Sequence, residues 1–168
     1  MKKTPLLLPI IGLILTAGCD THKSTQQATA ATARDPREQN SVIMTHPELS
    51  TFASLIRAAD LINFFYGTGP FTSFIPSNEA FEKYGMDKIE KLKEPANKDE
   101  LVDFINYHII LGKYLSSNLK LGKIRTLNGK DITIRSENGH IYVNDAMVIT
   151  PDLTGPNGVS YIINQVLS

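Results

Sequence analysis

The chain has a single cysteine in 168 residues, no tryptophan, no excess of either charge and no apolar run long enough to cross a bilayer. Each shortage closes a class of explanation. One thiol excludes an intramolecular disulfide and any metal site built on several cysteines. Seventeen basic residues against seventeen acidic ones leave no electrostatic footprint for nucleic acid. Histidine is scarce too. His22, His46, His108 and His140 are scattered, and no pair has the spacing of a metal-binding helix. No serine lies in a G-x-S-x-G elbow. Gly67-Thr68-Gly69 precedes an apolar stretch rather than following one, so it is no dinucleotide loop. The sequence therefore names no catalytic residue, no metal and no cofactor. An envelope hydrolase is the weakest of the readings kept open.

What is present begins with an address. Lys2 and Lys3 precede an apolar run at 6–15, which is too short for a stable span. Leu15-Thr16-Ala17-Gly18-Cys19 follows and resembles a bacterial lipobox, with Thr16 standing where an aliphatic residue is usual. Residues 1–18 then read as a lipoprotein signal peptide and Cys19 as the site of lipid attachment. Acylation would consume the only thiol. Removing Lys2 and Lys3 leaves 15 basic against 17 acidic residues. No polybasic cluster stands out along the chain, so membrane attachment is expected to rest on the acyl chains alone. Asp20, directly after the lipidated cysteine, resembles an inner-membrane retention signal. The expected place is the periplasmic face of the inner membrane, with the outer membrane or cell surface as the alternative.

Residues 19–40 are the lipidated cysteine followed by Thr, Ala, Gln and Ser with scattered charges, DTHKSTQQATAATARDPREQ. Such a segment lacks the apolar mass to offset its ordering entropy and reads as a disordered tether of roughly 25 Å. The folded part is expected at 41–168. Leu49, Phe52, Leu55, Ile56 and Ala59 recur at helical spacing, and a short apolar segment follows at 61–65. Phe71 to Ile75 reads as a short buried strand, and Ser77 as the N-cap of the next helix, which Gly85 stops. The acids Glu79, Glu82, Asp87 and Glu90 read as solvated helix faces. Asn97 and Glu100 are spaced like a capping box for a helix carrying Leu101, Phe104, Ile105 and His108 on one face. That face should bury His108 and keep it neutral.

Beyond Gly112 the character changes to hairpins. Asn128-Gly129 and Asn138-Gly139 are turn signals between alternating segments at 123–127, 131–135 and 141–149, the last read as one strand. Ile132 and Ile134 should face one side, Thr133 and Arg135 the other. A final strand follows Asn157-Gly158. Helices first and strands second argue an α+β fold, with N-terminal helices packed on a largely antiparallel sheet or wedge.

Three stretches carry a family resemblance. Gly69-Pro70-Phe71-Thr72-Ser73-Phe74-Ile75-Pro76-Ser77-Asn78-Glu79-Ala80-Phe81 resembles the first signature of the fasciclin (FAS1) domain. Tyr107-His108 is similar to its central Tyr-His pair. Asn157-Gly158-Val159 onward to Val166-Leu167 resembles its second signature, with Tyr161 in the usual His place and Asn164 in the usual Asp place. Val143-Asn144-Asp145-Ala146 falls where Val-Asn-Gly-Ala is common.

The resemblance implies one fasciclin domain over the whole folded part and a function in binding rather than catalysis. Fasciclin domains mediate adhesion and protein contacts outside cells, and a few bacterial and algal members carry pigments. Most signature residues (Gly69, Pro70, Phe71, Thr72, Phe74, Pro76, Ser77, Phe81, Asn157, Gly158) read as structural. Tyr107 and His108, and Asp152 with Leu153, match stretches tied to partner binding in animal members and are the candidate binding residues. The expected partner, besides the membrane, is an envelope protein or glycan; no oligomeric state is assigned. The alternative is a carrier of a small apolar ligand, with Phe52, Phe64, Phe65, Phe71, Phe74 and Phe81 as its lining.

Overall fold

Ser77 ends an extended segment and accepts the backbone N–H of Ala80 at 3.2 Å, which starts a helix where the sequence expects one. In the computed structural model, which describes residues 42–67 and 69–168, this is the junction of strand β1 (Phe71–Pro76) with helix α4 (Asn78–Tyr84). The expected signal peptide, Cys19 and the tether lie outside the described residues. Before β1 come α1 (Val42–Thr45), a 3-10 turn running into α2 (Ser50–Ala58), and α3 (Ile62–Tyr66). After α4, Gly85 adopts a φ of 112°, a conformation that ends one helix and lets α5 (Met86–Leu92) leave in a new direction. Helix α6 (Lys98–Tyr107) follows.

The capping box fails at α6. Asn97 belongs to a 3-10 turn started by Pro95, and its side chain donates to the Lys91 carbonyl at 2.8 Å instead of capping. Proline fixes a tight turn immediately before the helix, and Asn97, at φ −106° and ψ 16°, lacks the extended backbone of a capping residue.

The strands are β2 (Ile109–Leu111), β3 (Gly122–Arg125), β4 (Asp131–Glu137), β5 (His140–Val143), β6 (Ala146–Gly155) and β7 (Gly158–Ile163). They form one sheet in the order β2-β1-β7-β6-β5-β4-β3, antiparallel except for the parallel pair β1–β7. The expected single strand at 141–149 is two strands. Asn144 has a φ of 53° and turns the chain back on itself between β5 and β6. Asparagine tolerates that left-handed region better than most residues.

The two ends of the strand order approach each other, because Leu127, just past β3, donates to the Ile109 carbonyl of β2 at 2.9 Å. The sheet is thus nearly a barrel. Strands β1 and β7 bury both faces. Phe71 and Ile75 of β1 meet a helical core with Leu49, Phe52, Phe81 and Ile105, while Phe74 joins Ile132, Ile134, Val148 and Tyr161 in a second core. All six residues of β1 are buried. Both cores lie within the described residues.

Candidate functional site

The first and last signatures are neighbours in space. Phe71 lies beside Gly158 in the parallel pair, and the Phe71 amide donates to the Asn157 carbonyl at 3.1 Å. A side chain on Gly158 would overlap the Phe71 carbonyl, and one on Gly69 would overlap that of Asn157. Asn157 also ties this crossing to α3 through the Phe65 carbonyl at 2.8 Å. Thr72 accepts from the Tyr114 amide and donates to the Gly112 carbonyl, which fixes the chain leaving β2. These residues hold backbone segments together, and their side chains offer no reactive group.

The six phenylalanines named for a carrier line no common groove; Phe65 and Phe71 border only a small pocket of about 30 Å³. Phe52, Phe65, Phe71, Phe74 and Phe81 are buried, and Phe64 stacks on Phe71 with ring centroids 5.5 Å apart. They are core.

A groove opens elsewhere, around α6. It encloses about 400 Å³ between α5, α6, the Asn128-Gly129 turn and Leu167. That size is within the range of small-ligand sites. Leu92, Phe104 and Leu167 form its apolar floor; Tyr84 and Tyr107 flank it. Lys88 and Lys91 come from α5, while Glu100 and Asp103 come from α6. Lys88 sits over the Tyr84 ring at 4.8 Å, and Lys130 lies 5.8 Å from the centre of the Tyr107 ring and 3.6 Å from Asp103. The walls therefore carry opposite charges above an aromatic and aliphatic floor.

Tyr107 and His108 are adjacent in sequence and divergent in role. The Tyr107 hydroxyl accepts from the Asn144 side chain at 3.2 Å, and its ring borders the groove. His108 is fully buried, packed against Phe104 and Phe52. Its Nδ1 donates to the Phe104 carbonyl at 2.8 Å, leaving Nε2 to accept the Leu167 amide at 3.2 Å. Burial lowers its pKa to about 4, against a weaker upward pull from the Phe104 carbonyl. Both ring nitrogens are committed, so the imidazole holds the floor residue Leu167 in place and is not free as a base.

Asp152 and Leu153 stand at irregularities in the β6–β7 pairing, away from this groove lining. Asp152 accepts from the Ser116 amide at 2.7 Å, from the Ser116 hydroxyl and from the Tyr161 hydroxyl at 3.2 Å. Leu153 packs half-buried on the helical core. Tyr161 also donates to the Tyr114 carbonyl at 2.7 Å, and burial together with Asp152 pushes its pKa up. The tyrosine in the usual histidine place is thus a buried tie between β7 and the β2–β3 loop. Asn164 accepts the Met147 amide at 2.8 Å and ties the end of β7 to β6.

Sequence reasoning missed Tyr84, Lys88, Lys91, Asp103, Asn128 and Lys130 as groove residues. They come from four separate elements, and no linear spacing marks them. Among the described residues, no three His, Cys, Asp or Glu side chains are placed to hold a metal ion, and no helix is long and apolar enough to cross a membrane.

Comparison with known proteins gives a family match. Residues 47–168 match the Fasciclin domain family model. Protein sll1483 of Synechocystis is 37% identical over 118 residues, covering 70% of this chain and 66% of that protein. Human periostin is 31% identical over 121 residues, covering 70% of this chain and 14% of periostin. A solved FAS1 domain pair from the insect cell adhesion molecule fasciclin I aligns with a TM-score of 0.49 and 24% identity, over 71% of this chain and 45% of that one. With its signatures joined across β1 and β7 and a family match spanning both cores, the chain belongs to the fasciclin domain family.

Proposed function

We propose that the protein is a membrane-anchored envelope lipoprotein whose fasciclin domain is a non-catalytic interaction module. Cys19 carries the anchor, residues 19–40 are the tether, and the groove beside Tyr107 receives a segment of an envelope protein or glycan. The observation that carries the reading is the groove itself. It is concave, walled by opposite charges, and its nearest imidazole has both nitrogens committed to the backbone. Recognition uses such mixed walls for orientation and an apolar floor for affinity. Asp20 favours the periplasmic face of the inner membrane as the working place. The test is in-cell crosslinking from a photoreactive residue placed at Lys88. A discrete product, missing when the same residue is placed at the hairpin tip Asn138, supports the module. Equal products from both positions contradict it.

The apolar floor of Leu92, Phe104 and Leu167 favours a second reading, a carrier of a small apolar ligand. Colour or extractable lipid in the purified domain distinguishes that carrier from the interaction module.

A further inference from the structure

Charge is unevenly placed in this near-neutral chain. Residues 113–135 hold six Lys or Arg and one acid, whereas acids outnumber bases over the rest of the domain. Three of those six cations are neutralised: Arg125 by Asp131, Lys130 by Asp103 and Arg135 by Asp145. Lys113, Lys120 and Lys123 are exposed and have no ion pair among the described residues. Beside them stand the two most exposed large apolar side chains, Leu111 at 69% and Leu121 at 63%. Both ends of the loop joining β2 to β3 therefore show the same pair of features, a projecting leucine and unpaired lysine. The linear sequence hides this, because six residues separate Lys113 from Lys120.

The loop is pre-organised. Thr72 holds Gly112 and Tyr114, Tyr161 holds the Tyr114 carbonyl, Asp152 holds Ser116, and Leu119 is buried in the second core. Its ends start from segments joined by the Leu127–Ile109 hydrogen bond. Lysine on an edge strand deters unwanted strand pairing, which accounts for Lys123. It does not account for two leucines left in water.

We propose that the two ends of the β2–β3 loop, through Leu111, Lys113, Lys120, Leu121 and Lys123, form a docking face for an anionic lipid bilayer. Apolar side chains enter the interfacial region while lysines meet phosphate headgroups, each lysine strengthening attachment about fivefold. Protein interfaces favour aromatic residues and arginine and are depleted in lysine, so this face is unlike one built for an acidic protein. The choice of a bilayer rests on the anchor reading: a short tether holds the domain beside a membrane, where weak contacts suffice.

The test is sedimentation of residues 42–168, which contain both cores and no anchor, with lipid vesicles. The domain should bind vesicles of phosphatidylglycerol and phosphatidylcholine in equal parts and ignore pure phosphatidylcholine. Lys120→Ala with Lys123→Ala should weaken binding about 25-fold. Leu121→Ser should weaken it as well, with the unfolding midpoint unchanged. Absent binding to the anionic vesicles, or equal binding to neutral ones, overturns the proposal. So does competition by soluble polyglutamate with no effect of Leu121→Ser, which assigns the face to an acidic protein. Failure of acyl labelling at Cys19 would remove the anchor and leave the vesicle result standing, so the two readings fail separately.

Discussion

The Nε2 atom of His108 accepts the backbone N–H of Leu167 at 3.2 Å, fastening the end of the second signature to the helix that carries the Tyr-His pair. Sequence separates the two residues by 59 positions. Replacing His108 by alanine leaves that amide and the Phe104 carbonyl without their partner and opens space beside Phe52. The expected cost is on the order of 1–3 kcal/mol, read as a lower urea midpoint.

His108 also sets an acid limb. Its folded pKa of about 4 lies below the unfolded value of 6.5, so the unfolded chain binds more protons between those limits. Stability from this site is complete above about pH 6.5 and is lost as pH falls toward 4. Urea unfolding of residues 42–168 from pH 4 to 8 should show a slope in that window that flattens in His108→Ala. An identical slope in the variant would assign the acid limb to other groups.

Gly158 is held to a glycine by the Phe71 carbonyl, not by its own backbone angles. Gly158→Ala forces β1 and β7 apart at their parallel pairing and should cost about 2–4 kcal/mol. Gly129→Ala meets open space but has a φ of 83°, and about 1–2 kcal/mol of backbone strain is expected there. Equal midpoints for the two variants would show that the crossing is looser than described.

Tyr161→Phe removes one donor from both the Tyr114 carbonyl and Asp152. A loss of about 1–2 kcal/mol is expected, with faster amide exchange at Tyr114 and Ser116 as the loop loosens. Unchanged exchange at those amides would mean that Ser116 and Asp152 hold the loop without Tyr161.

Hairpins were legible because Asn-Gly declares its turn within two residues. Ile132 and Ile134 announced their buried face through alternation. The break at Asn144 was not legible, since Asn-Asp is a weaker turn signal inside an apolar stretch. Asn97 misled because its spacing to Glu100 fits a cap, while Pro95 nearby had already claimed the local geometry. The parallel pairing of β1 with β7 joins residues more than eighty positions apart, beyond any local pattern. Burial of His108 followed from helix periodicity; its hydrogen bond to Leu167 did not, since a distant backbone amide leaves no mark in sequence. The groove was invisible for the same reason, being assembled from four elements.

The proposed anchor at Cys19, which lies outside the described residues, has its own test. Cys19→Ser should abolish acyl labelling and release the protein from the pelleted membranes or leave it uncleaved. Labelling that persists in the variant would contradict lipidation at this residue.

The central claim is that the groove serves recognition while the neighbouring buried residues serve stability. Lys88→Glu combined with Lys91→Glu alters exposed groove cations that have no ion pair among the described residues, so stability should stay within about 1 kcal/mol. The deciding measurement is the in-cell crosslinking yield of the full-length protein, with the photoreactive residue at Asn128, taken together with its urea midpoint. The account predicts a lost crosslinked product with a nearly unchanged midpoint for this pair. A full yield from the charge-reversed groove would contradict it.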